Sequence, residues 1–196
     1  MNDRRYIGAE ELLADSFRLG LRVLDSGCRP SHIVGIWRGG TPVGIAVQEL
    51  LEFAGVHTDH IAIRTSLYTG IGASAPAVRV HGLNYVVRHV NAEDSLLIVD
   101  DIYDSGRSIR QVIADLRAEC RRNTPEIHIA TVYLRSGSSA PVGVPHYYLH
   151  ETDQWLVFPH ELAGLTVEEL LAHKPGIEAI RDRLPGLRQG AATAGR

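Results

Sequence analysis

Lysine is almost missing from this chain. Of its 20 Lys and Arg residues, Lys174 alone is lysine, and 20 − 1 = 19 are arginine. Any position where related chains carry Lys is open to Arg here through composition alone. Cysteine is nearly as scarce. Cys28 and Cys120 stand far apart with no metal-ligand spacing, so a disulfide scaffold and a cysteine zinc site are excluded and two reduced structural thiols are expected. No charge of one sign dominates: 20 cations against 23 anions give a formal net charge of −3. That removes the electrostatic case for nucleic acid or an anionic membrane as partner. No apolar run approaches the ~20 residues of a membrane span. Met1-Asn2-Asp3-Arg4-Arg5 has no apolar signal segment behind it, so a cytoplasmic protein is expected. What remains is ordinary for a soluble globular protein: 196 residues, 44% hydrophobic and 22% charged, enough for one domain with a real core.

Strands alternate with helices along the chain. Residues 10–26 read as a helix with Leu13, Phe17, Leu21 and Leu24 as its apolar stripe, ended by Gly27 and Pro30. Ile33–Ile36 has strand length. Thr41 suits the cap and Pro42 the first turn of a helix running to about Gly55. Ile61–Ile63 is a strand, and residues 69–77, rich in Gly, Pro and small residues, form a mobile loop. Val78–Val80 and Tyr85–Val87 read as two arms of a hairpin about Gly82. Leu96–Val99 is a buried strand. The helix after it carries Ile109, Val112, Ile113, Leu116 and Cys120 on one face. Strands follow at Ile127–Leu134, Tyr147–Leu149 and Trp155–Phe158, with a loop at 136–141 and short helices near 166–172 and 176–183. The order implies an α/β fold with a mainly parallel central sheet flanked by helices, and ligands at the carboxyl ends of its strands.

One stretch carries specific chemistry: Ser95-Leu-Leu-Ile-Val-Asp-Asp-Ile-Tyr-Asp-Ser-Gly-Arg-Ser108. Asp100 and Asp101 end a buried strand, where an ionised carboxylate needs donors, and the two hydroxyls of a vicinal diol supply them. Asp104-Ser105-Gly106-Arg107-Ser108 then opens a helix, whose unpaired N–H groups and dipole favour an anion. Gly106 lets the backbone approach, Ser105 and Ser108 add hydroxyls, and Arg107 adds charge. Acids for a diol beside a cradle for a phosphate monoester describe a ribose 5-phosphate.

In this string the chain resembles the type I phosphoribosyltransferases. Their signature is an apolar strand, two acids, two variable residues, then Asp, Thr or Ser, Gly, one variable residue, and Thr or Ser. The string matches at every defined position. Three further segments are similar to that family, so the resemblance covers roughly residues 10–165. Residues 35–44, with Arg38, Gly39 and Gly40 at the turn, resemble its pyrophosphate-binding loop, which often holds a non-proline cis peptide. Residues 63–72 resemble its mobile catalytic loop, with Ser66 and Tyr68 as candidates. Residues 151–161 resemble the base-binding segment of the 6-oxopurine branch. There Trp155 would stack on the base, Leu156 would offer its backbone, and Glu161 would help hold Mg2+.

The resemblance implies transfer of a phosphoribosyl group from phosphoribosyl diphosphate to a nucleobase, in purine salvage, with Mg2+ as cofactor. Asp100 and Asp101 would grip the ribose hydroxyls directly or through the metal, and Asp104 would manage the N7 proton of the base. It further implies a homodimer. Its layout would be one domain over 1–185: a core over about 30–135, a hood from the N-terminal helix and about 145–165, and a disordered tail at 186–196. Two positions depart from the closest pattern: Arg135 stands where 6-oxopurine enzymes place a Lys that donates to O6, and His160 where a second aromatic is usual.

Three rival readings exist. Regulators that only sense nucleotides, and enzymes acting on pyrimidines or orotate, carry the same signature. A signalling receiver domain would want the acids on its first strand and a Lys ending a later one, which this chain lacks. A metal hydrolase built on His146, His150, Asp153 and His160 has no distinctive ligand spacing.

Overall fold

The computed structural model describes residues 4–68, 77–137 and 144–184. The expected loop over 69–77, most of the loop over 136–141 and the tail beyond 185 lie largely or wholly outside the described residues. Two compact units divide the chain: Leu12–Asp153, and Met1–Glu11 together with Gln154–Arg196. Among the described residues no helix is long and apolar enough to cross a membrane.

The elements of the larger unit follow in chain order. They are most of α1 (Ala9–Asp25), β2 (His32–Trp37), α2 (Gly40–Phe53), β3 (Asp59–Tyr68), β4 (Ala77–His81), α3 (Asn84–His89), β5 (Ser95–Tyr103), α4 (Arg107–Cys120), β6 (Glu126–Arg135) and β7 (Tyr147–Thr152); β1 (Arg4–Tyr6) is in the smaller unit. The sheet order is β4-β3-β2-β5-β6-β7. Every neighbouring pair is parallel except β3 with β4. The mainly parallel sheet flanked by helices is therefore the observed architecture.

The β5 run Leu96–Val99 is fully buried because residues of both faces meet helices. On one face Val34, Ile36, Leu96 and Ile98 pack with Ile109, Val112, Ile113 and Leu116 of α4. On the other, Gly44 of α2 comes close to Gly35 of β2. From β2 the chain moves outward to β3, and from β5 it moves the opposite way to β6. The order reverses between β2 and β5, the switch point where open α/β sheets bind ligands beyond their strand ends.

Three local expectations change. In α1 the stripe Leu13, Phe17 and Leu21 is exposed, and the buried face is Leu12, Asp15, Ser16, Leu19, Gly20 and Val23. The polar members of that face are satisfied: Ser16 Oγ donates to the Leu12 carbonyl at 2.7 Å, and Asp15 binds His150 Nε2 at 2.8 Å and Arg18 at 2.7 Å. Gly20 lets Leu50 of α2 come so near that a Cβ would sit 2.7 Å from Leu50 Cδ2. The hairpin about Gly82 does not form. Tyr85–Val87 lies in α3, and β4 pairs instead with β3, Arg64 opposite His81. Helix α2 starts at Gly40 without a side-chain cap, and the Thr41 hydroxyl, expected to cap it, has no hydrogen-bond partner.

In the smaller unit, β1 (Arg4–Tyr6) pairs in parallel with β8 (Trp155–Val157), Arg4 opposite Trp155. Helix α5 (Val167–His173) opens with a capping box: Thr166 Oγ1 accepts from Glu169 N, and Glu169 Oε2 accepts from Thr166 N. A 3-10 segment, Ile177–Arg183, follows. Val157, Leu165, Leu170 and Leu184 form the core of this unit.

Candidate active site

Strand β5 does not leave the sheet at its acids. Its pairing with β6 continues past them, Asp100 opposite Thr131 and Tyr103 opposite Leu134, so both acids lie within the strand. The Asp100 carboxylate accepts from Asp101 N at 3.1 Å, and the Asp101 carboxylate from Ile102 N at 2.8 Å. Burial raises the Asp100 pKa well above the ordinary carboxylate value, and the neighbouring Asp101 charge raises it further.

The β2–α2 turn lies against these acids. Any Cβ at Gly39 would overlap the Asp101 carboxylate, and a Cβ at Gly40 would lie 2.8 Å from Asp100 Cα and overlap the Val99 carbonyl. Two glycines in a row are needed for that close approach. Arg38 precedes them, exposed, and the Trp37–Arg38 peptide is cis. Thus Gly39 meets Asp101 and Gly40 meets Asp100 at the switch point, with Arg38 next to them in the turn.

Beyond β5 the turn Asp104–Gly106 opens α4. Gly106 has φ 66°, left-handed, and a Cβ there would overlap the Tyr103 hydroxyl. A cavity of about 250 Å³ is lined by Asp100, Ile102, Tyr103 and the run Asp104–Ile109. Ser105, Gly106, Arg107 and Ser108 therefore lie together on its wall with Asp100, while Asp101 is turned to Gly39. Arg110 Nη2 donates to the Ser105 carbonyl at 3.3 Å. The arrangement can hold an anion of phosphate size, with helix-start N–H groups and two arginines supplying positive potential.

Tyr103 is the residue that sequence reasoning missed. It occupies a variable position of the motif yet is 1% exposed beneath Gly106, and burial raises its hydroxyl pKa, with Arg110 opposing. The available signal was the alternation Leu97, Val99, Asp101, Tyr103, which continues the strand past its acids. A second missed feature links two named residues: Arg135 Nε donates to Asp104 Oδ1 at 3.0 Å. Strand β3 holds Ser66, whose hydroxyl lies 3.1 Å from His81 Nε2. The Tyr68 side chain lies outside the described residues.

In the smaller unit Trp155 is 56% exposed, so its indole is no core residue, whereas Leu156 is buried. A cavity of about 440 Å³ is lined by Arg4, Trp155, Val157, Glu161 and the run Ala163–Leu165. Glu161 Oε2 accepts from Phe158 N at 3.0 Å. Lys174 donates to the Phe158 carbonyl, and its burial lowers its pKa, with Glu161 opposing.

Asp100, Asp101 and Glu161 are hard oxygen donors of the kind Mg2+ takes. Among the described residues no group of three or more His, Cys, Asp or Glu could hold a metal by itself. Mg2+ is usually held by one or two carboxylates with waters and substrate phosphates, and Asp100 on the cavity wall fits that role.

No family model matches the sequence, and no curated protein matches it. Solved structures do. A purine phosphoribosyltransferase from Pyrococcus horikoshii Ot3 is similar at TM-score 0.64 and 24% identity, over 85% of this chain and 99% of that one. A hypothetical protein from Neisseria gonorrhoeae with bound ppGpp is similar at TM-score 0.69 and 17% identity, over 88% and 96%. The xanthine-guanine-hypoxanthine phosphoribosyltransferase of Helicobacter pylori is similar at TM-score 0.64 and 19% identity, over 87% and 100%. The chain has the phosphoribosyltransferase-type fold.

Proposed function

We propose that the chain transfers the 5-phosphoribosyl group from phosphoribosyl diphosphate to a nucleobase, a 6-oxopurine, and releases pyrophosphate. The observation that carries this reading is the cavity wall shared by Asp100 and the Asp104–Ser108 turn, an acceptor for hydroxyls beside a cradle for a monoester. In this reading Ser105, Gly106, Arg107 and Ser108 hold the 5′-phosphate. Asp100 accepts from the ribose hydroxyls, and Asp101 holds the Gly39 backbone so that Arg38, Gly39 and Gly40 face the diphosphate. Positive charge that grows on the ribose ring in the transition state is met from the acidic side of the cavity, where Asp100 stands. Mg2+ bound with the diphosphate supplies charge neutralisation for the leaving group.

Asp104 takes the N7 proton of the base, and Arg135, anchored on Asp104, donates to O6. Trp155 stacks on the purine, Leu156 offers its backbone to the pyrimidine edge, and Glu161 supports the metal-binding side. Tyr68 serves at the reacting carbon, where exclusion of water protects the activated ribose. The same resemblance suggests a cytoplasmic homodimer serving purine salvage.

The test is isotopic incorporation of hypoxanthine, guanine, xanthine, adenine, uracil and orotate with phosphoribosyl diphosphate and Mg2+. Nucleotide from a 6-oxopurine is the expected product. Product from uracil or orotate alone would move the base class, and no product from any base would remove the transferase reading.

A second reading is a nucleotide-sensing regulator on the same fold, favoured by the ppGpp bound to the Neisseria gonorrhoeae neighbour. Calorimetric binding of ppGpp by a chain that turns over no base would favour it.

A further inference from the structure

Lys174, the single lysine of the chain, is 5% exposed in the smaller unit. Its Nζ donates to the Phe158 carbonyl. That carbonyl also accepts from Glu161 N at 3.0 Å, and Phe158 N donates to Glu161 Oε2 at 3.0 Å. Lys174 and Glu161 therefore hold both backbone groups of the residue that follows β8. Strand β8 needs such a hold, because it has three residues and one partner strand of three, and a two-stranded sheet is marginal by itself. Trp155, exposed on β8, gains little positioning from packing of its own ring.

An ammonium buried this far is costly unless its donors are met. It is also a compact donor, whereas a guanidinium is a planar fork that needs a wider seat. In a chain that uses arginine for every other Lys or Arg position, that shape accounts for lysine here.

We propose that Lys174 is a positioning residue for the base. By fixing the Phe158 carbonyl it sets the end of β8, and with it the placement of the Trp155 ring and the Leu156 backbone. This rests on the transferase reading above. It gives the C-terminal segment beyond residue 165, which the family resemblance does not cover, a part in base affinity.

Lys174→Met keeps the buried stem and removes the donors. The KM for the base that the wild-type chain uses fastest should rise about ten-fold, the worth of one charge-assisted hydrogen bond. The KM for phosphoribosyl diphosphate should stay within about two-fold, since binding changes at the base alone. Trp155 emission, read without substrate in a Trp37→Phe background because the chain has two tryptophans, should shift. An unchanged base KM overturns the proposal. So does a rise of both KM values together with a fall in Tm, which marks a merely structural lysine. Should Lys174→Met fail to fold, Lys174→Gln supplies the same split. Wild-type chain that turns over no base would sink the transferase reading instead. The emission of Trp155 would still test the hold of Lys174 on β8, and an unmoved spectrum would end it.

Discussion

The Asp100–Ser108 stretch and the Trp155–Glu161 segment are built in opposite ways. The first is contiguous: strand end, acids, turn and helix start come from nine consecutive residues, and all but Asp101, which turns to Gly39, lie on one cavity wall. The second is assembled from afar. Its strand pairs with Arg4–Tyr6 at the other end of the sequence, and Phe158 is tied to Lys174. A contiguous site is legible as a motif, whereas an assembled one shows only its most distinctive residue, here Trp155.

Substitutions in the two regions should have separable effects. The largest effect is expected at Gly40. An alanine there meets backbone at Val99 and Asp100 that has no room to yield. Gly40→Ala should cost about 3 kcal/mol, the upper end of ordinary overpacking, read as a lowered urea midpoint, together with loss of donor binding. A variant as stable as wild type would show that the close approach is not required.

Next comes Trp155→Ala, expected to weaken base binding by about 1–3 kcal/mol, the worth of one stacked ring. It should leave stability little changed, because the indole is exposed. Equilibrium titration with the accepted base measures it, and unchanged affinity would remove Trp155 as a platform. Asp104→Asn keeps a hydrogen-bond acceptor for Arg135 and removes the charge. Turnover should fall about ten-fold, with donor affinity kept, as for loss of a proton-transfer group. Wild-type turnover in that variant would take Asp104 out of the mechanism. The smallest effect is expected at Thr166→Ala. It deletes the capping box of α5 and should cost about 1 kcal/mol, seen as a lower Tm. The assembled segment should feel it and the contiguous one should not, so base KM should rise more than donor KM.

Two helices show how far periodicity reaches. In α4 the apolar stripe Ile109, Val112, Ile113, Leu116 and Cys120 is the buried face, as its spacing predicts. In α1 the equally regular stripe Leu13, Phe17 and Leu21 is exposed, and a face bearing Asp15, Ser16 and Gly20 is buried. Spacing identifies two candidate faces in such a helix. The choice depends on long-range partners: His150 for Asp15, and Leu50 for the gap that Gly20 leaves. Tyr85–Val87 follows the same rule. A short apolar run suits strand or helix, and β3 had already taken β4 as its partner.

The sequence makes the α/β order, the parallel sheet and the acids-turn-helix string legible, because each rests on local period or on residues close together in the chain. It also displayed the glycines at 39 and 40, without their reason. Packing alone shows that those glycines make room for Asp100 and Asp101, that Tyr103 lies under Gly106, that Arg135 donates to Asp104, and that the one lysine donates to the Phe158 carbonyl just after β8. Each of these joins residues brought together by the sheet switch point, the strand pairing or burial. Desolvation makes such contacts necessary, and desolvation is a property of the packed fold that no local spacing records.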